Sequence, residues 1–374
     1  MPLPARSLSA RFIIAAAVVA LAAPASAAVS PAVGKALTAA SKAAASGNTG
    51  AAIAAIGQAQ NAASTAEEKL KTSQMAGYVY TRAGRYGEAA GALAAAGAPA
   101  RQLAPLYYRA GQYDKAIALA KQSGGEDMQI LIAQAYTRTG RAGLAVNAYN
   151  SLIKSNGPKP QYLENLAGAQ YKAGDKKAYL ATTQRLIKVD SSPARWRTLL
   201  TNFQGNNMRG EARLALYHLM MATGTLDRPQ DYQDFAKLAL VSGQAGLAGP
   251  ALAKAGAASD AMSQKLAQAA VGMTAKAAAD APRLSADPKT AVRGGNSWLG
   301  LGQYGKAVAA YDVAIKAAGP DADQAMLWKG IASLRSGNAA AARASFAGIP
   351  EKSGMHDIAN LWALFAQTRG AIAG

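Results

Sequence analysis

Cysteine is absent from the 374 residues. That one gap excludes disulfide bridges, thiolate metal sites, a cysteine nucleophile and the acyl-accepting cysteine of a bacterial lipoprotein. Histidine is almost absent: His218 and His356 stand alone, with no second histidine or carboxylate cluster at metal-ligand spacing. Neither belongs to a readable nucleophile, base and orienter set. His218, inside RLALYHLMM, reads as a packed or partly exposed helix residue, and Asp357 beside His356 points elsewhere on a helix. Acidic residues are few, 21 against 40 Lys and Arg. Glu67 with Glu68, Glu126 with Asp127, and Asp321 near Asp323 stand where helices begin, and carboxylates there complement the helix dipole. The pairs Gly124–Gly125 and Gly294–Gly295 lack the order of a phosphate-binding loop and read as turns or close helix contacts. No stretch alternates with period two between hairpin turns, so no sheet is expected. These absences predict a chain with no catalytic residue, no metal site and no cofactor.

What the chain has in quantity is repetition. YTRAGRYGEAAGAL from Tyr80, YYRAGQYDKAIALA from Tyr107 and YTRTGRAGLAVNAY from Tyr136 share an aromatic residue, a cation two later, a Gly two after that, and an Ala five beyond the Gly. The Gly anchor recurs at Gly47, Gly84, Gly111, Gly140, Gly174, Asn207, Gly243, Gly302 and Gly337, with a degenerate copy at Gly272. Five residues on stand Ala52, Ala89, Ala116, Ala145, Ala212, Ala248, Ala277, Ala307 and Ala342; only Tyr179 breaks the column. Apolar residues three to four apart before each Gly predict one helix, and the spacing after it predicts a second. The Gly suits a left-handed stop, and the Ala permits close helix approach.

These residues resemble tetratricopeptide repeats, whose pattern runs Trp, Leu-Gly, Tyr, Gly, Ala, aromatic, Ala and Pro over about 34 residues. The fullest copy runs through Trp196, Leu199, Leu200, Phe203, Asn207, Ala212, Leu216 and Leu219, and another through Trp298, Gly302, Tyr304, Ala307, Tyr311 and Ala314. The anchors from Gly84 to Gly140 are closer than the family's spacing, and between Gly243 and Gly302 the signal is weak. The resemblance implies an all-α chain, a right-handed α-solenoid of stacked helix-turn-helix units. The expected plan is a leader over 1–28, a helical cap and degenerate repeat over 29–66, and repeats over 67–257. A degenerate helical segment over 258–290, repeats over 291–350 and a capping helix over 351–374 complete it.

A basic column runs through the repeats. Arg82, Arg109 and Arg138 follow Tyr80, Tyr107 and Tyr136 by two residues, and Lys172 and Arg335 hold the same slot. Two residues on a helix are about 200° apart, so a tyrosine packed on its neighbour turns the cation outward. In the resembled family that face of the first helix lines a concave groove. The expected partner-binding residues are Tyr78, Arg82, Tyr108, Arg109, Gln134, Arg138 and Lys172, with Lys71, Gln74, Thr137 and Glu164 beside them on one surface. The competing reading is local: cations in the last turn of a helix are favoured by its dipole and free carbonyls. The clamp with which one subclass of the family holds a C-terminal carboxylate is not recognisable, since its positions carry Gln74, Tyr78 and Asp127.

The first residues read as a secretory signal: two arginines in MPLPARSLSAR, the apolar run FIIAAAVVALAA and the small residues PASAA. Cleavage is expected near Ala27 or Ala28, leaving no integral membrane span and placing the chain in the periplasm. The net charge of +19 favours acidic partners through long-range steering. The expected role is a non-catalytic scaffold binding a protein or peptide. The alternative is an anionic envelope polymer, polysaccharide or glycolipid, in export or assembly; nucleic acid is not expected. An enzyme of cell-wall turnover would need a catalytic domain for which no non-repeat sequence remains.

Overall fold

The computed structural model describes residues 29–204, 208, 210–254, 256 and 260–372. The leader, the anchor Asn207 and the C-terminal pair lie outside them. Among the described residues the chain is α-helical and holds no strand. It divides into two compact units, Met1–Gly124 and Gly125–Gly374.

The first unit holds α1 (Pro31–Ala45), α2 (Thr49–Ala62), α3 (Ala66–Arg82), α4 (Tyr86–Ala95), α5 (Ala100–Arg109) and α6 (Tyr113–Ser123). They pair as antiparallel hairpins, each turned by a predicted glycine: Gly47, Gly84 and Gly111 have φ of +77°, +73° and +75°. That left-handed conformation costs glycine nothing and strains other residues. Across the turn at Gly84, the Gly N–H donates to the Thr81 carbonyl and the Arg85 N–H to that of Tyr80; around Gly111 the same pair of bonds runs to Tyr108 and Tyr107. These bonds satisfy carbonyls that the helix end leaves free. Five residues on, Ala52, Ala89 and Ala116 are buried completely. A methyl group there lets the second helix approach the first closely, and the core around it is mostly alanine, with Ile56, Val79, Leu103 and Leu106.

The second unit begins in the same way, with α7 (Glu126–Arg138), α8 (Ala142–Asn156), α9 (Pro160–Lys172) and α10 (Lys176–Val189). It continues through α11 (Pro193–Gln204), α12 (Gly210–Ala222), α13 (Pro229–Ser242), α14 (Ala248–Lys254) and α15 (Ala261–Ala286). The last helices are α16 (Ala291–Gly300), α17 (Tyr304–Lys316), α18 (Ala322–Arg335), α19 (Ala339–Ala347) and α20 (His356–Ile372). From α11 onward the packing changes. Helix α12 buries Ala212 and every residue from Leu214 to Met220, so it is enclosed on all sides. α11, α13 and α20 pack against it. The indole N–H of Trp362 on α20 donates to the Ala215 carbonyl of α12 at 3.1 Å, and Trp196 meets Phe365 edge to face at 6.0 Å.

The structure corrects one anchor. Gly272 lies inside α15 and has no positive φ, and Ala277 is only half-buried. Within the weak stretch between Gly243 and Gly302, residues 261–286 form one 26-residue helix, α15, which runs through Gly272 without a turn. Gly294 and Gly295, read from sequence as turns or close contacts, are close contacts inside α16: a Cβ on Gly295 would stand 2.5 Å from the ring of Tyr311.

Candidate functional site

The turn that repeats also organises its surface. The bond from the residue after the glycine to the tyrosine four before it brings the two side chains together. Where apolar residues usually meet, a cation covers a ring: Arg85 lies 5.3 Å from the centroid of Tyr80, and Arg141 5.4 Å from that of Tyr136. Lys115 reaches Tyr107 at 5.4 Å from one turn further on. The three tyrosines are half-buried against the core, as the repeat spacing predicts, and their rings are roofed by charge.

Of the expected binding residues, Arg82 and Arg109 belong to the first unit and Arg138 and Lys172 to the second; all four are exposed. Arg82 reaches the Ala44 carbonyl, at the end of α1, at 3.3 Å. Arg109 lies over the ring of Tyr86 at 5.3 Å. The first contact is with a carbonyl in the last turn of another helix and the second is with a ring, and both residues remain exposed. Tyr78 is 38% exposed, Tyr108 meets Tyr113 edge to face at 5.3 Å, and Gln134 is half-buried. Around them, Lys71 is paired with Glu67 at 2.7 Å, Thr137 bonds back to the Ala133 carbonyl, and Glu164 accepts from Arg195 at 3.0 Å. On α3 the structure brings Leu70, Gln74, Tyr78 and Arg82 into one exposed row, four residues apart.

The family model for the tetratricopeptide repeat matches residues 292–355, the hairpins α16/α17 and α18/α19. Residues 292–355 carry tetratricopeptide repeats. Among solved structures it is similar to the TPR2AB-domain:pHSP90 complex of yeast Sti1, at 16% identity, covering 72% of this chain and 93% of that one with a TM-score of 0.25. It is also similar to a tetratricopeptide repeat protein from Parabacteroides merdae ATCC 43184, at 12% identity, covering 89% and 99% with a TM-score of 0.24. At these TM-scores the two likenesses add nothing to the family match. No curated protein matches the sequence.

In the second unit, several inner polar residues are bonded to one another. Arg335, the last member of the basic column, is half-buried, and its Nη2 bonds Nδ1 of His218 at 3.0 Å. An arginine can only donate, so Nδ1 is the acceptor and the proton sits on Nε2, 2.8 Å from Oε1 of Gln244. His218 is fully buried between Phe235 and Trp328. Burial first, then the Arg335 charge, pushes its pKa down to about 3, so the ring is neutral. Of the two environments the sequence allowed for His218, packed or partly exposed, the structure shows the packed one.

Beside it, Glu211 accepts from the Trp328 indole at 2.7 Å and from Ser242 at 3.1 Å. Asn296 donates to Ser242 and accepts from Tyr311 at 2.7 Å. Burial raises the pKa of Glu211 against the pull of these donors. Sequence reasoning missed this network because its members are up to 117 positions apart. The legible signals were a few polar residues at core positions of apolar helices. Glu68 does more than the helix-start role assigned to it. It completes a capping box with Thr65 and accepts from the Ser30 N–H at 2.9 Å, tying the start of α1 to α3, and these bonds hold its carboxyl far below the ordinary range. Among the described residues no group of three or more His, Asp or Glu is placed to hold a metal, and no helix is long and apolar enough to cross a membrane.

Proposed function

We propose that this chain is a non-catalytic scaffold or adaptor of the bacterial periplasm that holds a protein or peptide segment against the exposed faces of its first helices. The tetratricopeptide repeat is a protein-interaction fold, and the carrying observation is the row Leu70, Gln74, Tyr78 and Arg82 on α3. Two large apolar side chains, 41% and 38% exposed, alternate there with polar ones, as suits a peptide rather than bulk water. The positive charge of the chain draws acidic partners to such a face. The leader-like residues 1–28 support the periplasmic assignment, which N-terminal sequencing of the exported protein tests: a start at Ala28 or Val29 is expected, and a membrane-held form beginning at Met1 overturns it.

The binding test changes Arg82, Arg109, Arg138 and Lys172 to Gln, which leaves helix propensity nearly unaltered. Capture of envelope proteins on the immobilised chain should fall about tenfold or more while the melting temperature holds. A variant that captures the same proteins as well as the native chain removes these residues from the site. The second reading, an anionic envelope polymer, is favoured by Tyr171, which is 64% exposed with Lys172, Lys176 and Lys177 around the same turn. Binding through many ion pairs collapses as salt rises, whereas capture on the α3 row persists.

A further inference from the structure

Helix α10 is cationic where local chemistry disfavours cations. Lys176 and Lys177 open it, with no acidic residue in the first turn, at the end where the helix dipole opposes positive charge. The helix-end reading that competes for Arg82 and Arg109 has no force here. The helix packs inward through Tyr179, Thr182, Thr183, Leu186 and Ile187. On the opposite side Lys177, Ala181, Arg185 and Lys188 are exposed, and their spacing of three to four residues sets them in one row. At 1.5 Å per residue that row runs for about 16 Å.

Several cations elsewhere in the second unit are paired: Arg195 with Glu164 and Asp190, Lys159 with Glu126, and Lys329 with Asp312. Lys176, Lys177, Arg185 and Lys188 have no ion-pair partner among the described residues. The two carboxylates at the ends of α10 are engaged. Asp175 accepts from the Ala178 N–H at 2.9 Å, and Asp190 from Arg195 at 3.1 Å. Two exposed apolar groups adjoin the cations: Tyr171, 64% exposed, at the preceding turn, and Val189, 45% exposed, at the far end of the helix. A tyrosine suits a membrane interface, where the ring is half-sunk and the hydroxyl stays wet.

We propose, building on the anionic-ligand reading of the Tyr171 turn, that the outer face of α10 docks on the surface of a bilayer rich in anionic lipid headgroups. The outer side of a helix is convex and gives a polymer chain no groove. The row also carries no hydroxyl or carboxamide to bond sugar hydroxyls. A bilayer needs no groove, because it meets a row of cations as a plane of opposite charge. Each basic residue held near such a plane strengthens binding about fivefold. The face shares no residue with the Arg82, Arg109, Arg138 and Lys172 set, so the two surfaces can be tested apart.

The probes are vesicles of phosphatidylcholine alone and vesicles in which about a third of the lipid is phosphatidylglycerol, mixed with the full chain and recovered by flotation. The chain should bind the anionic vesicles at least about fiftyfold more tightly, and high salt should remove the difference. Any association through residues 1–28 is common to both vesicles and to every variant. Changing Lys176, Lys177, Arg185 and Lys188 to Gln should weaken anionic binding about thirtyfold or more while the melting temperature holds. Removing the same charge at Lys265, Lys276, Lys289 and Lys316, all exposed elsewhere in the unit, should weaken it less than about threefold. Ala181→Trp, in the middle of the row, gives a second readout: the emission gained should shift to the blue with anionic vesicles only. Equal losses in the two quadruple variants, no preference for anionic vesicles, or an unshifted emission in Ala181→Trp overturns the proposal. Alginate bound through the four α10 residues, with vesicles ignored, overturns it too but leaves the anionic-ligand reading standing; binding of neither removes both.

Discussion

The hairpins from α1 to α6 are held by alanine; the helices from α11 to α20 are held by tryptophan. All four tryptophans of the chain, Trp196, Trp298, Trp328 and Trp362, belong to the second unit. In the first unit the contact positions Ala40, Ala52, Ala76 and Ala89 carry one methyl each, so helices lie close but each contact buries little area. The comparison teaches that one repeat rule supports two kinds of cohesion. Where the pattern is strict, each hairpin contacts its neighbours in sequence and stability accumulates in small increments. Where long-range contacts close α18 and α20 onto α11 and α12, a few large side chains carry much of the packing and a buried polar network fixes their register.

Trp328→Ala should show the contrast most strongly. It removes a fully buried indole, which costs about 3–5 kcal/mol, and leaves Glu211 short of a donor. Hydrogen exchange of the intact chain should lose protection across α11–α20, with α1–α6 unchanged. Equal loss in both units would mean that they fold as one cooperative body.

Acid should separate the units next. His218 has an unfolded pKa of about 6.5 and a folded one of about 3. Below pH ~6 the unfolded state takes up a proton that the folded state refuses, so stability falls by about 1.4 kcal/mol per pH unit. Glu211 acts with the opposite sign: its raised pKa costs stability at neutral pH, and that cost is recovered on acidification. Glu211→Gln should therefore steepen the acid loss. Glu68 has a lowered pKa, so its contribution to the first unit is intact above the ordinary carboxylate range and lost only below pH ~4.5. Exchange at stepped pH should show the second unit opening first. The first unit opening first, or both together, would show that these groups do not set the order.

The smallest effect is the sharpest test of the alanine column. Ala116→Leu places extra methylenes at a fully buried helix contact and should cost about 1–3 kcal/mol. The same change at Ala277, which shares the sequence register but not the burial, should shift the melt by much less. Equal shifts would mean that the column is compositional and not a contact.

Sequence alone determined the local part of this protein. Gly84, Gly111 and Gly140 with their alanines were legible because a left-handed turn and a close helix contact each depend on residues within half a repeat. The exposure of Arg82, Arg109, Arg138 and Lys172 followed from the same helical geometry. The degenerate copy at Gly272 misled because glycine is tolerated in a helix interior, and only the surrounding packing shows that no turn occurs there. The tertiary structure alone decided the fate of Arg335, which shares the column's register yet turns inward to His218. It also assembled Glu211, Ser242, Asn296 and Trp328. The reason is physical: repetition fixes contacts between neighbours along the chain, whereas desolvation and hydrogen bonding between distant helices of the second unit depend on which helices the fold brings together.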